Sequence, residues 1–424
     1  MLYYHQGSPE TDLQPDEIRE ALFSVLEKLG RQKKVLAVPP DYSRRHSQAG
    51  LISRIIYQFY GEKLKEILPA VGTHAPMTSE EITDMYPELP EELFRYHNWR
   101  KDPVKLGEVP AEFIEEISEG ALKYSWPVLV NRLLTEPDYD LVFSIGQVVP
   151  HEVSGMANYN KNIFVGTGGV DSINKSHYLG AVCGMEQAMG RIDTPVRRML
   201  NYASEKIASG IPLIYVLTVI GADERDKLVT RGLFMGDDEE CFRRAAQLSQ
   251  RVNIRIMENP LRKIVVYLDP HEFKSTWLGN KSIYRTRMTL ADDGELIVLA
   301  PGVRMFGEDR EIDRLIRKYG YRTTPEILHQ VEQSPELQEN LAVAAHLIHG
   351  SSENRFHVTY CPGHLSADEI REVGFNFKEF DEMMQKYSPE KLRQGFNTLP
   401  NGEELFFINN PGLGLWTTKE KFNE

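Results

Sequence analysis

Short, wholly apolar runs alternate with amphipathic stretches along nearly the whole chain, and few folds accept that pattern. The runs KKVLAVPP, EILPAVG, DYDLVFSIGQVV, KNIFVG and IPLIYVLTVIG are strand-like and apolar on both faces. Between some of them lie stretches with apolar residues at helical spacing. Residues 14–30 carry Ile18, Leu22, Val25, Leu26 and Leu29 on one face, and a second helix is expected over roughly 47–61. Strands buried on both faces and separated by helices predict a mainly parallel sheet under a helical cover.

The pattern starts afresh after RVNIRIMENPLRK. KIVVYLDP, a helical stretch near 275–290, ELIVLAP, polar helices from 309 to 350, HVTYCPG, two charged helices and ELFFIN follow in turn. A chain of 424 residues has room for more than one core at roughly 150 residues per domain. The expected fold class is therefore α/β: two α/β domains with mainly parallel sheets covered by helices and the active site in the cleft between them. Residues 1–258 are expected to form the catalytic and cofactor-binding domain, and residues 259–424 the domain that closes the site.

With 49 basic and 62 acidic residues the net charge is −13, a sign that repels phosphate backbones and argues against a nucleic-acid partner. Cys183, Cys241 and Cys361 are scattered and make neither a disulfide framework nor a CxxC metal site. The N-terminus has neither a basic start nor an apolar run, and no stretch approaches the roughly 20 apolar residues that span a bilayer. A cytoplasmic protein with no membrane partner is expected.

Twelve histidines occur, and most have no partner at metal-ligand spacing. Three stand out by context. His74, in VGTHAPMTSEE, follows a strand, and Thr78 or Ser79 with Glu80 and Glu81 read as the cap of the next helix. A helix N-terminus close by favours a neutral imidazole, which suits a general base; an ordinary loop histidine fits equally well. His151 follows the strand LVFSIGQVVP, Lys161 sits just before the run NIFVG, and His177 is placed on the next loop. The segment between them holds Gly155, Gly166, Gly168 and Gly169, yet it matches no GxGxxG or ATP-binding loop, and on these residues alone Lys161 reads as solvated. Asp41, His74 and His151 all follow strands, where doubly wound sheets bind ligands.

The order and spacing of these motifs resemble the N-terminal domain of the lactate racemase family. PPDYSRR, VGTHAPMT and the segment from His151 to His177 follow one another as in that family, with Lys161 ten residues after His151 and His177 sixteen after Lys161. The resemblance implies a nickel-pincer nucleotide, a pyridinium mononucleotide whose sulfur–carbon–sulfur arms hold nickel. It implies His74 and His151 as the acid/base pair, Lys161 as the attachment point, His177 as the nickel ligand, and Asp41 and Arg44 as cofactor-positioning residues, with Arg44 also anchoring the substrate carboxylate. In the C-terminal domain Lys281 and Arg285 of TWLGNKSIYRTRM are the candidates for holding that carboxylate, against a solvated helix face. The chain also departs from the family. SGMANYNK replaces a run richer in glycine, Arg45 stands where proline is usual, and Ala75 where arginine is common.

The implied chemistry is inversion at C2 of a small 2-hydroxy acid. That C–H bond is too weakly acidic for simple proton abstraction, so a cofactor must accept a hydride, and two opposed histidines suit the hydroxyl proton of either isomer. Two rival readings use the same residues. One is a zinc or iron hydrolase or lyase with His74, His151, His177 and Asp41 as ligands. The other is a non-catalytic nucleotide- or anion-binding module built on Arg44, Arg45 and Lys161.

Overall fold

The computed structural model describes residues 1–136 and 138–423. The chain divides into two compact units, one of residues 1–183 and 188–253, the other of residues 184–187 and 254–424.

In the first unit, capping and apolar spacing combine to make α1, Pro15–Leu29. Pro15 occupies the first turn with Asp16 and Glu17, Lys28 the last, and the backbone turns at Gly30 with φ 76°. Ile18, Ala21, Leu22, Val25 and Leu26 are buried, and α2, Ala49–Tyr60, packs beside α1 and buries Ile52, Ile55 and Ile56. Beneath them run β1 (Leu2–Gly7), β2 (Val35–Val38), β3 (Leu64–Ile67), β4 (Leu141–Gln147), β5 (Leu213–Ala222) and β6 (Leu228–Gly236).

The sheet order is β1-β6-β5-β4-β2-β3. From β5 to β3 every neighbouring pair is parallel, while β6 and β1 join antiparallel. In register, Val35 pairs with Leu141, and Val142 with Leu213. All residues of β2 and β4 are buried, as expected for parallel strands covered on both faces.

Two readings of local structure change. NIFVG is not a strand: Asn160–Phe164 form the short helix α3. His177 is not on a loop: it lies on α4, Val170–Val182. A short apolar run does not by itself separate a buried helix from a strand. Here Asn162 decides, because its side chain reaches the Val38 carbonyl at 2.9 Å and Ser144 Oγ at 3.2 Å. The polar residues SINKSH resemble loop composition, yet Ser172 and Ser176 face inward from α4 and are buried.

The second unit has its own six-stranded sheet. Leu261–Tyr267, Leu290–Ala300, His357–Pro362 and Asn376–Phe377 are joined in parallel, Glu404–Ile408 pairs in parallel on the other side of Leu261–Tyr267, and Gly395–Thr398 closes that edge antiparallel. Both units are α/β with mainly parallel sheets. Among the described residues no helix is long and apolar enough to cross a membrane.

Candidate active site

The site of the first unit is built where strands end. After β2 the chain reaches Asp41, which caps a 3₁₀ turn, Tyr42–Ser47, by accepting from Ser43 N at 3.1 Å and Ser43 Oγ at 2.5 Å through Oδ1. The other carboxylate oxygen lies 2.6 Å from His74 Nδ1. Arg44 sits inside the same turn.

After β3 the chain forms the loop that carries His74. Gly72 turns with φ 57°, and its N–H donates to the Gly166 carbonyl at 2.8 Å. His74 N donates to the Val71 carbonyl at 3.0 Å. The expected cap is present beyond it: Thr78 Oγ1 accepts from Glu81 N at 3.2 Å, and Glu81 reaches back to Thr78 N at 3.0 Å. His74 is therefore gripped by a carboxylate as well as standing before a helix. Asp41 accepts a proton held on Nδ1, which leaves Nε2 of the neutral ring as an acceptor.

His151 is held in the opposite way. Pro150–His151 and Gly155–Met156 form a tight antiparallel hairpin after β4. Within it His151 Nδ1 accepts from Val153 N at 3.1 Å. An acceptor Nδ1 in a neutral ring puts the proton on Nε2. Glu152 Oε1 lies 3.8 Å from that Nε2.

Lys161, on α3, is half-buried. Burial pushes its amine down to about 8; Arg44 and Arg197 add to the depression, while Glu152 and Asp41 oppose it. His177 Nδ1 is bonded to the Ile173 carbonyl at 2.8 Å, one turn back on α4. Burial lowers its pKa to about 4, with Lys161 and His74 contributing in the same direction. These mutual influences place Asp41, Arg44, His74, Glu152, Lys161 and His177 in one electrostatic neighbourhood, and His151 joins it through Glu152.

Glu152 was passed over in the sequence, although a carboxylate next to a site histidine was the available signal. His97, by contrast, is an ordinary buried histidine, satisfied by Gly168 O at 3.0 Å and by Asn131 Nδ2 at 2.9 Å.

Lys281 and Arg285 belong to the second unit. They sit on and just after the short helix Lys281–Tyr284, and both are buried, so neither lies on a solvated helix face. Lys281 Nζ is 5.4 Å from the Phe273 ring centroid.

The residues suit a cofactor that brings its own metal. A lysine amine depressed to about 8 has a substantial neutral fraction near neutral pH and can act as a nucleophile. A neutral imidazole whose Nδ1 is occupied presents Nε2 as a single metal ligand. Among the described residues no three His, Cys, Asp or Glu side chains converge to hold a metal ion.

Comparison with known proteins gives the following. Residues 8–190 match the lactate racemase N-terminal domain family. No curated protein matches the sequence. A crystal structure of a protein from Thermotoga maritima is 27% identical, with a TM-score of 0.84 over 98% of this chain and 100% of that one. The lactate racemase apoprotein from Thermoanaerobacterium thermosaccharolyticum shares the fold at 16% identity, with a TM-score of 0.70 over 96% of this chain and 93% of that one.

Proposed function

With residues 8–190 a member of the lactate racemase N-terminal domain family, we propose that the chain is an isomerase that racemises or epimerises C2 of a 2-hydroxy acid with a nickel-pincer nucleotide. The observation that carries this reading is the opposite hydrogen bonding of Nδ1 in His74 and His151, one against a carboxylate and one against a backbone N–H, beside a lysine with a depressed pKa. A simple binding module has no need of one imidazole poised to accept and another poised to donate.

When bound, the cofactor supplies an electron sink that accepts and returns the C2 hydride. The protein's residues do the rest. Lys161 would hold the nucleotide through its amine, and His177 would hold nickel through its imidazole. Arg44 binds the substrate carboxylate, which a guanidinium can grip with two parallel hydrogen bonds. For one isomer His74 takes the hydroxyl proton at Nε2, while Asp41 keeps Nδ1–H in place and stabilises the imidazolium that forms. When C2 is reduced again, the oxygen of the planar 2-keto acid would regain a proton; His151 Nε2–H would hydrogen-bond that oxygen, and the imidazolium formed on His74 would give its proton back, so that both rings end neutral. For the other isomer the roles would exchange: His151, with its ring proton moved from Nε2 to Nδ1 and the Val153 contact released, would take the hydroxyl proton, and Glu152 would support the charge that forms.

The test is a panel of single-isomer 2-hydroxy acids, from lactate to malate to sugar acids, offered to nickel-loaded protein and scored by chiral chromatography. Loss of optical purity in at least one member is expected, with nickel in the metal analysis. Protein that carries zinc alone and leaves every member optically pure would refute the assignment.

A further inference from the structure

We propose that Arg197 is a positioning residue: it clamps the strained turn immediately before Lys161 and so fixes where that lysine is presented. The inference rests on reading Lys161 as the cofactor's attachment point.

The turn has an unusual backbone. Asn158 has φ 64° and Tyr159 has φ 61° with ψ −137°, so two consecutive residues with side chains occupy territory that glycine usually fills. Lys161 follows two residues later, in the first turn of α3. Asn accepts positive φ more readily than most residues, but Tyr159 at φ 61° and ψ −137° does not, so something must hold this conformation.

Arg197 is the group that does so. It lies on α5, Pro195–Lys206, a helix capped by Thr194, whose Oγ1 accepts from Arg197 N at 3.1 Å. Its side chain is 1% exposed. From there the guanidinium fans out over the turn. Nη2 donates to the Met156 carbonyl at 2.7 Å, Nη1 donates to Asn160 Oδ1, and both nitrogens reach the Asn158 carbonyl at 3.4 Å. Three successive even-numbered residues of the segment are thus tied to one planar cation, a task that suits a fixed fork of donors.

Aromatic rings fix the cation in turn. Its central carbon is 4.2 Å from the Phe242 ring centroid and 5.7 Å from that of Tyr159, and those two rings stack at 5.1 Å and 13°. The strained Tyr159 is therefore part of the clamp that holds it. Asn160 Nδ2 is also tied to α5, by Asn201 Oδ1 at 2.7 Å and Ser204 Oγ at 3.3 Å. Across the turn Gly146 leaves space for the Asn158 amide; a Cβ there would lie 2.2 Å from Asn158 Nδ2.

The test compares Arg197→Met, which keeps length and apolar contact, with Arg197→Lys, which keeps the charge but not the fork. Circular dichroism and thermal melting establish that each is folded. Hydrogen exchange at residues 156–165 reports the turn without any cofactor. Intact mass after incubation with the nickel-pincer nucleotide reports covalent loading of Lys161. The methionine variant is expected to raise exchange in that segment, and to lower loading, by at least about tenfold, the scale on which small misplacements near reacting groups act. The lysine variant should recover part of both. Should the methionine variant fail to fold, the lysine variant decides alone. A folded variant with wild-type exchange, or with wild-type loading, overturns the proposal. If the unmodified protein takes up no nucleotide, the proposed function falls, while the exchange data still decide whether Arg197 holds the turn.

Discussion

His74 and His151 are the same side chain held by opposite partners. His74 stands on a loop with its side chain 30% exposed and gives Nδ1 to a buried carboxylate. His151 is folded into a hairpin with its side chain 8% exposed and takes a backbone N–H on Nδ1. Nδ1 therefore plays opposite roles: it faces a carboxylate on His74 and accepts a backbone N–H on His151. The contrast teaches that the partner on one ring nitrogen decides what the other nitrogen can offer a ligand.

The largest effects should come from removing either ring. His74→Ala and His151→Ala should each lower racemisation by about 10²–10⁴-fold, the usual worth of a positioned acid or base. The comparison is sharpened by single-turnover formation of keto acid from each pure isomer. His74→Ala should block one isomer and spare the other, with the pattern reversed in His151→Ala. Identical losses on both isomers would break the assignment of opposed roles.

A smaller effect is expected from Asp41→Asn. An amide can offer N–H to Nδ1 and so invite the wrong tautomer, costing about 10–100-fold, as is typical of groups that orient a functional histidine. An equal loss in a variant that leaves Asp41 and His74 untouched but removes the Ser43 hydroxyl would point to the turn rather than the ring.

The smallest effects should appear as shifts in pH. Only the neutral Lys161 amine is nucleophilic, so the rate of covalent loading should rise with pH through about 8 and level off above it. Glu152 favours the ammonium form and Arg44 disfavours it. Glu152→Gln should therefore move the midpoint to lower pH and Arg44→Ala to higher pH. Stopped-flow or quenched mass measurements across pH 6–10 would show it, and shifts of the same sign in both variants would count against this electrostatic picture.

Much of the architecture was legible in residue order. The buried face of α1 contains Ile18, Leu22, Val25 and Leu26 as the spacing predicts, and Thr78 with Glu81 caps the helix after His74 as expected. Lys161 and His177 were harder, because NIFVG is too short to declare its period and because buried serines on α4 look like loop residues. The partners that give the histidines their roles were not legible. Asp41 reaches His74 across 33 positions of sequence, and Arg197 reaches Met156 across 41. No local pattern announces such pairs; they exist only once the strands are in register.

The bond from Gly72 N to the Gly166 carbonyl has a consequence for how this site can change over time. It stitches the His74 loop to the end of the Lys161 helix using main-chain atoms alone. Gly166 has no room to become anything else, since a Cβ would lie 2.3 Å from the Asn162 carbonyl oxygen. The two segments are thus held in registration by a main-chain bond, and the seam is vulnerable to replacement only where a side chain would fill the space that Gly166 leaves open.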